Sequence, residues 1–364
     1  MTPSPFSATY AEARGKFLEA ADAAGAELSA ISHPERGPDG GELATDVAWI
    51  GPTNAAAVLV LVSATHGVEG HCGSGAQIDW LRRGEAARLG PEQAVLLIHA
   101  INPYGFAWSR RVTQENVDLN RNFVDFSQPL PENPGYDELA AAVAPKEWSD
   151  ASRQASRATF LAYLRQHSYA ALVEALSGGQ YRHPGGIYYG GAAETWSRRT
   201  LTGIFRDHLG SARHIGVIDY HTGLGPEGYG EPMVSAGPAT AEHARALAWY
   251  GAAITSIEGG NSSSAKLSGD WLDATPALLP HAEVTGMALE FGTVDGAQVM
   301  EALRADNWLH AHGDPLSPQG QAIAADTRAA FYIDTDIWRG MVLGQSLIAT
   351  RQAVAGLARA LRAA

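Results

Sequence analysis

The sequence is short of cysteine. The single residue, Cys72 of 364, excludes an intrachain disulfide and a cysteine-based zinc finger, and it fits a reducing compartment. No apolar run approaches the ~18 residues of a membrane span, so no membrane partner is expected. Basic residues are also scarce: 26 Lys and Arg stand against 39 Asp and Glu, a formal charge of −13. A surface of that sign repels nucleic acid and anionic lipid, and no Lys/Arg-rich run offsets it. The N-terminus, Met1 to Tyr10, lacks the basic start and apolar core of a secretory signal, so a cytoplasmic location is expected. Two common enzyme signatures are missing. Gly73-Ser74-Gly75 lacks the G-x-S-x-G spacing of a nucleophile elbow, and no P-loop lysine follows it.

What is present suits a folded α/β unit. Apolar residues make up 45% and charged residues 18%, enough to bury a sizeable core and too apolar for a disordered chain. At ~150 residues per domain the length allows two domains or one large one. No internal repeat and no compositional break marks a linker, so one domain is expected over residues 1–364. A helix is predicted over residues 8–25, then a strand pair at Glu27–Ser32 and Thr45–Ile50. Ala56–Ser63 is a continuous apolar run, the mark of a strand buried on both faces; Ala94–Ala100 and His214–Tyr220 are a second and a third buried strand, and Thr285–Phe291 is a fourth strand. Helices are predicted over Gly75–Arg83, Ser152–Ser177, Ala241–Ile257, Gly296–His310 and Asp336–Ala364. Ser127–Pro145, with prolines at 129, 131, 134 and 145, reads as a long surface excursion, and Gly178–Gly191 as a loop or a short hairpin. The alternation of strand and helix predicts an α/β sandwich on a largely parallel sheet.

In open α/β sheets the functional groups lie just past the C-terminal strand ends. The four best strands here end in polar residues: the first in His66 and Glu69, the third in His221, the fourth in Glu290, while the second leads into Arg111 and Asn120-Arg121. Two histidines and a carboxylate form a three-ligand set that leaves a position open for water. The bland alternative is a solvated loop histidine beside an unrelated acid. Glu290 sits inside the apolar stretch Met287–Phe291, where a carboxylate is costly unless paired or functional. It is either a strand-end acid paired with an arginine or a general base. Asn120 and Arg121 offer amide and guanidinium donors to a carboxylate; the alternative is a capped loop with a surface ion pair. Asp270 reads as a helix N-cap or as a selector for a basic group.

Taken together, His66-x-x-Glu69, Asn102-Pro-x-Gly105, Arg111, Val117-Asp-Leu-Asn-Arg-Asn-Phe123, Asp219-Tyr-His221 and Glu290 resemble the zinc carboxypeptidase superfamily, which includes aspartoacylases and succinylglutamate desuccinylases. The matches run in family order over roughly residues 56–295, and the form is similar to a bacterial carboxypeptidase-like branch. The resemblance implies a three-layer α/β/α sandwich around a mixed, mainly parallel sheet, with a catalytic core over about 45–312 and a C-terminal helix over about 336–364. It implies one zinc ion per chain on His66, Glu69 and His221, with Asp118 orienting a zinc-bound histidine. Glu290 would be the base that activates water, Arg111 the carbonyl-polarising cation (Arg110 the fallback), and Asn120 with Arg121 the grip on a substrate carboxylate. Digestive-type members also carry a mobile tyrosine ahead of the glutamate. Glu258–Leu267 holds none, and Tyr181, Tyr188 and Tyr189 stand open as substitutes.

The expected activity is zinc-dependent hydrolysis of a peptide or peptide-like amide near a free carboxylate. An N-acyl amino acid deacylase of the aspartoacylase type is the alternative. A metal-retaining binding protein without turnover is a third reading, although such a protein has no use for Glu290. The expected partner is a small peptide or N-acyl amino acid.

Overall fold

The structure is a computed structural model and describes residues 4–363. Its frame is one eight-stranded sheet built from β1 (Glu27–Arg36), β2 (Glu42–Ile50), β3 (Ala57–Val62), β4 (Gln93–His99), β5 (His214–Glu227), β6 (Gly230–Val234), β7 (Thr255–Ser256) and β8 (Glu283–Gly292). The strand order is β1-β2-β4-β3-β5-β8-β6-β7. The middle of the sheet, β4-β3-β5-β8, is parallel throughout, whereas β1–β2, β2–β4 and β6–β8 pair antiparallel. The sheet is therefore mixed with a parallel centre.

The apolar runs explain the layers. Successive strand residues face opposite sides, so β3 feeds two cores at once. Leu59 and Leu61 pack with Phe17, Trp80 and Trp338 on one face, from the helices Tyr10–Ala23, Gly70–Arg82 and Asp336–Ala363. Val58, Val60 and Val62 pack with Phe205 and Trp271 on the other, from the helices Trp196–His208 and Trp271–Leu278. Every residue of β3 and β4 is buried. This is the three-layer α/β/α sandwich. A third cluster, from the helices Pro134–Val143, Tyr169–Ser177, Gly296–His312 and Pro318–Phe331, includes Val68, just beyond the end of β3.

Several elements differ from the sequence expectation. The proline-rich stretch is no mere surface excursion: it contains the helix Pro134–Val143, which buries Tyr136, Leu139 and Val143. Asn133 caps that helix and Pro134 takes its first turn, where the missing N–H costs nothing. The single helix expected at Ser152–Ser177 is two, Asp150–Leu164 and Tyr169–Ser177, the second capped by Ser168. The helix expected to reach Ile257 stops at Tyr250, because Gly251 adopts φ +78° and β7 follows.

Candidate metal centre and substrate cleft

The chain runs from β3 to β4 on one side of the sheet and from β5 to β8 on the other. The gap between the ends of β3 and β5 is thus a topological switch point, the usual place for a site in such sheets. β3 leads through Ala64, held at φ +60°, to His66 and the single turn Gly67–Glu69. That turn packs against the segment carrying the arginines: Gly67 N–H donates to Arg111 O (3.0 Å) and Val68 N–H to Arg110 O (2.7 Å). The approach is so close that a Cβ on Gly67 would lie 2.1 Å from Gly105 C. Asn102 secures the opposing turn by accepting from Gly105 N–H at 2.9 Å.

His66, Glu69 and His221 converge, with one ligand atom from each lying within 4.8 Å of the others, and all three are buried. Each oxygen of Glu69 faces one imidazole: Oε1 is 2.9 Å from His66 Nδ1 and Oε2 is 2.8 Å from His221 Nδ1. The two Nδ1 atoms lie 3.1 Å apart. The far nitrogens are held by carboxylates. His66 Nε2 is 3.2 Å from Asp118 Oδ1, and His221 Nε2 is 2.6 Å from Asp219 Oδ2. A carboxylate on Nε2 fixes the proton there and leaves Nδ1 as a lone pair. Two lone pairs and a carboxylate then face one point, which calls for a cation. Their 3.1 Å separation is close to that of two nitrogens sharing one ion at the zinc–nitrogen distance of about 2.0–2.1 Å. The residues fit a divalent metal.

Charge argues the same way. Glu69, Asp118, Asp219 and Glu290 are all buried, and two guanidinium groups, Arg111 and Arg121, stand beside them. Buried carboxyl groups outnumber the cations here, a balance that a divalent ion would offset. Burial raises the Glu69 pKa, yet the two imidazoles outweigh it and hold the carboxyl well below its usual range. Asp118 behaves alike: burial is opposed by Arg111, Arg121 and His66, and the carboxyl stays ionised. Burial disfavours the charged form of His221, but Asp219 and Glu69 win and push its pKa up, so Nδ1 is a place where positive charge is stabilised, and a metal ion there would displace the proton.

Glu290 differs. It lies on β8 in register with His221 on the neighbouring β5, so both side chains leave the same face of the sheet. Leu224 N–H donates to Glu290 Oε1 at 2.9 Å, and Oε2 makes no hydrogen bond among the described residues. Burial first and the Glu69 charge second raise its pKa to about 8, a carboxyl poised to take and release a proton.

An open cleft joins these groups, lined by His66, His221, Glu290, Arg111, Asn120 and Arg121 among others. Arg111 Nε donates to Asp118 Oδ2 (2.9 Å) and its Nη1 to Glu69 Oε1 (3.3 Å). Arg110 points elsewhere, to Asp306 Oδ2 at 3.2 Å and Asn116 Oδ1 at 3.0 Å, so it is a structural residue. Asn120 Oδ1 is buried without a hydrogen-bond partner among the described residues. Arg121 donates from Nε to Ser177 O (3.2 Å) and from Nη1 to Asn120 O (3.0 Å). Asp270 lines the cleft and also caps the helix Trp271–Leu278, accepting from Leu272 N–H at 3.0 Å. Sequence reasoning assigned no role to Asp219, which also accepts from Thr65 Oγ1 (2.8 Å) and Trp271 Nε1 (3.0 Å). The D-x-H spacing on a strand was the available signal, since residues two apart share a face.

Fold and site together define an α/β/α protein with a candidate divalent-metal centre at the strand ends. The chain belongs to the family described as "Protein of unknown function (DUF2817)", which residues 6–345 match. No curated protein matches the sequence. Among solved structures it is similar to a carboxypeptidase A from Helicoverpa armigera, with 13% identity, 88% of this chain and 73% of that one covered, and a TM-score of 0.42. It is similar to a succinylglutamate desuccinylase from Chromobacterium violaceum, with 13% identity, coverage of 83% and 74%, and a TM-score of 0.37. It is also similar to an aspartoacylase family protein from Mesorhizobium loti, at 13% identity and a TM-score of 0.36, covering 79% of this chain and 66% of that one.

Proposed function

We propose that the chain is a zinc-dependent hydrolase of a peptide or N-acyl amino acid amide that carries a free carboxylate. The observation that carries this reading is the pairing of His66, Glu69 and His221 with a glutamate whose Oε2 is unpaired in the same cleft. Zinc, when bound, would polarise the scissile carbonyl and acidify a water molecule. Glu290 accepts the water proton and returns it to the leaving amine as the C–N bond breaks. Its N–H bond from Leu224 fixes Oε1, so Oε2 does the transfer. Arg111 supplies N–H donors where the carbonyl oxygen gains charge. Asn120 and Arg121 receive the substrate carboxylate, and Asp118 and Asp219 hold the two imidazoles in the tautomer that ligation needs. A binding protein without turnover would need the three ligands but neither Glu290 nor Arg111.

Metal analysis and a substrate panel test this together. Purified protein should hold about one zinc per chain. It should release amine from members of a panel of dipeptides and N-acyl amino acids, and amidating the free carboxyl group should weaken every good substrate. Cleavage of dipeptides alone marks a peptidase, cleavage of N-acyl amino acids alone a deacylase. Protein that neither retains nor takes up zinc refutes the reading.

A further inference from the structure

The helix Asp336–Ala363 seals one core with an inner row that includes Trp338, Val342, Ala349 and Leu357. Its outer row begins Ile337, Gly340, Met341, Gly344, Ile348, a spacing of three and four that keeps one helical face. A row that meets solvent is ordinarily polar or charged. This one carries no polar side chain for three turns, and Ile337 is 77%, Met341 42% and Ile348 58% exposed. Tyr229, exposed in the turn between β5 and β6, widens the patch. That turn is strapped to the helix: Gly230 N–H donates to Gln345 Oε1 and Gln345 Nε2 to Gly228 O, both at 2.8 Å. The two glycines are costly here, since only proline is a poorer helix former. A Cβ on Gly340 or Gly344 would meet nothing within 4 Å among the described residues, so the fold of one chain does not call for either. The close approach of a second backbone would.

Charge says which backbone. Asp336 opens the helix with its side chain fully exposed, and Arg351 follows Ile348 on the outer row. An acid thus bounds the apolar stretch at one end and a base at the other. An identical helix lying antiparallel meets each with the opposite sign, whereas a parallel one sets like against like. With a two-fold axis at Gly344, equal steps in opposite directions put Ile348 over the partner's Gly340 and Asp336 beside the partner's Arg351. Glu85 holds the Arg351 guanidinium at 2.7 and 2.8 Å, so that side chain is ordered before any partner arrives.

We propose that this face is an interface between two copies of the chain, whose Asp336–Ala363 helices cross antiparallel about Gly344 in a two-fold dimer. The interface is isologous, so every contact occurs twice. The test is sedimentation of the full chain over a range of micromolar concentrations, for wild type, Ile348→Arg and Gly344→Ala. Wild type should sediment at twice the chain mass and dissociate on dilution. Ile348→Arg sets a charge against each partner helix and should raise the dissociation constant about a hundredfold, with the far-UV circular dichroism of the wild type. Gly344→Ala separates a role in assembly from a role in folding. Alanine favours the helix of each chain, while its Cβ holds the two backbones apart at the axis. The variant should therefore resist urea better than wild type at concentrations where both are monomeric, and still dimerise more weakly. Cysteine pairing reads the direction. A mixture of Gly340→Cys and Ile348→Cys chains should form a mixed disulfide under mild oxidation, and Ile348→Cys alone should form none; Cys72 is buried and does not compete. A wild type that stays monomeric overturns the proposal and leaves the face to a different protein. A dimer that Ile348→Arg and Gly344→Ala leave unchanged overturns it too, because another surface then makes the contact. So does an Ile348→Cys chain that links to itself, which marks a parallel pair.

Discussion

Glu290 carries a test that separates its proposed role from every neighbour's. Replacing it with glutamine keeps its size and its bond from Leu224 N–H but ends proton transfer. Loss of a general base costs ~10²–10⁴-fold in rate, and a group that serves both water and leaving amine should fall at the upper end. Zinc content should stay at wild-type level, since Glu290 is not in the ligand set. Thermal stability should hold or rise, because a buried carboxyl whose ionisation burial opposes becomes a neutral amide. Turnover assays, metal analysis and a melting curve must agree. A variant without zinc makes Glu290 a ligand, and one with near-normal turnover puts the base elsewhere. At this scale the sequence was readable wherever a polar residue interrupted an apolar strand end, as His66, His221 and Glu290 do. It was unreadable where the partner is backbone: nothing in the residue types says that Leu224 N–H would hold Glu290, because that contact depends on the register shift of β5 past Thr222.

Among the elements, the turn Gly67–Glu69 joins ligand placement to arginine placement. Gly67→Ala pushes a Cβ toward Gly105 backbone at 2.1 Å, where no side chain can yield. Overpacking costs about 1–3 kcal/mol and more where backbone must move. The variant should melt lower and lose turnover, since Gly67 N–H also holds the Arg111 carbonyl. Gly15→Ala, on the exposed side of the helix Tyr10–Ala23 with nothing within 4 Å, is the control and should stabilise by ~0.5–1 kcal/mol. The helix Trp271–Leu278 supplies a pH test through its cap. Burial, opposed in part by Leu272 N–H, raises Asp270 from 3.8 to about 6. The native state then binds a proton that the unfolded chain has released, so this residue's contribution to stability falls as pH rises from about 4 through 6. Asparagine caps as well without ionising. Asp270→Asn should therefore be more stable than wild type at pH 7–8 by an amount of order 2–3 kcal/mol, and the gap should close near pH 4. A gap that persists at pH 4 in urea titrations makes the effect one of packing. Element legibility followed burial: β3 and β4 were evident from their apolar runs, and β8 from the apolar stretch that Glu290 interrupts. The helix Pro134–Val143 was missed by weighing prolines over the spacing of Tyr136, Leu139 and Val143, which lie on one helical face. β6, Gly-Glu-Pro-Met-Val, has no strand pattern of its own and exists because β8 offers it an antiparallel partner.

The whole molecule divides between a sheet that needs no metal and a rim that carries the candidate metal centre. Both faces of β3 and its neighbours are sealed by apolar residues drawn from helices on either side, while His66 and Glu69 follow the end of β3 and His221 lies beyond that level on β5. Removing the ion should leave these cores intact and expose one end to unbalanced carboxylates. Chelation should abolish turnover while far-UV circular dichroism stays that of the α/β fold. The melting temperature should fall and then recover on adding zinc, rising further with zinc concentration, because a ligand that binds only the native state stabilises by about 4 kcal/mol at a thousandfold excess over Kd. The same titration on Glu69→Gln, which removes the one carboxylate charge of the ligand set without emptying the space, should show a much weaker zinc-dependent rise. A chelated protein that loses its secondary structure would place the metal within the folding core, and a melting temperature indifferent to zinc would leave His66, Glu69 and His221 as a buried proton-sharing cluster.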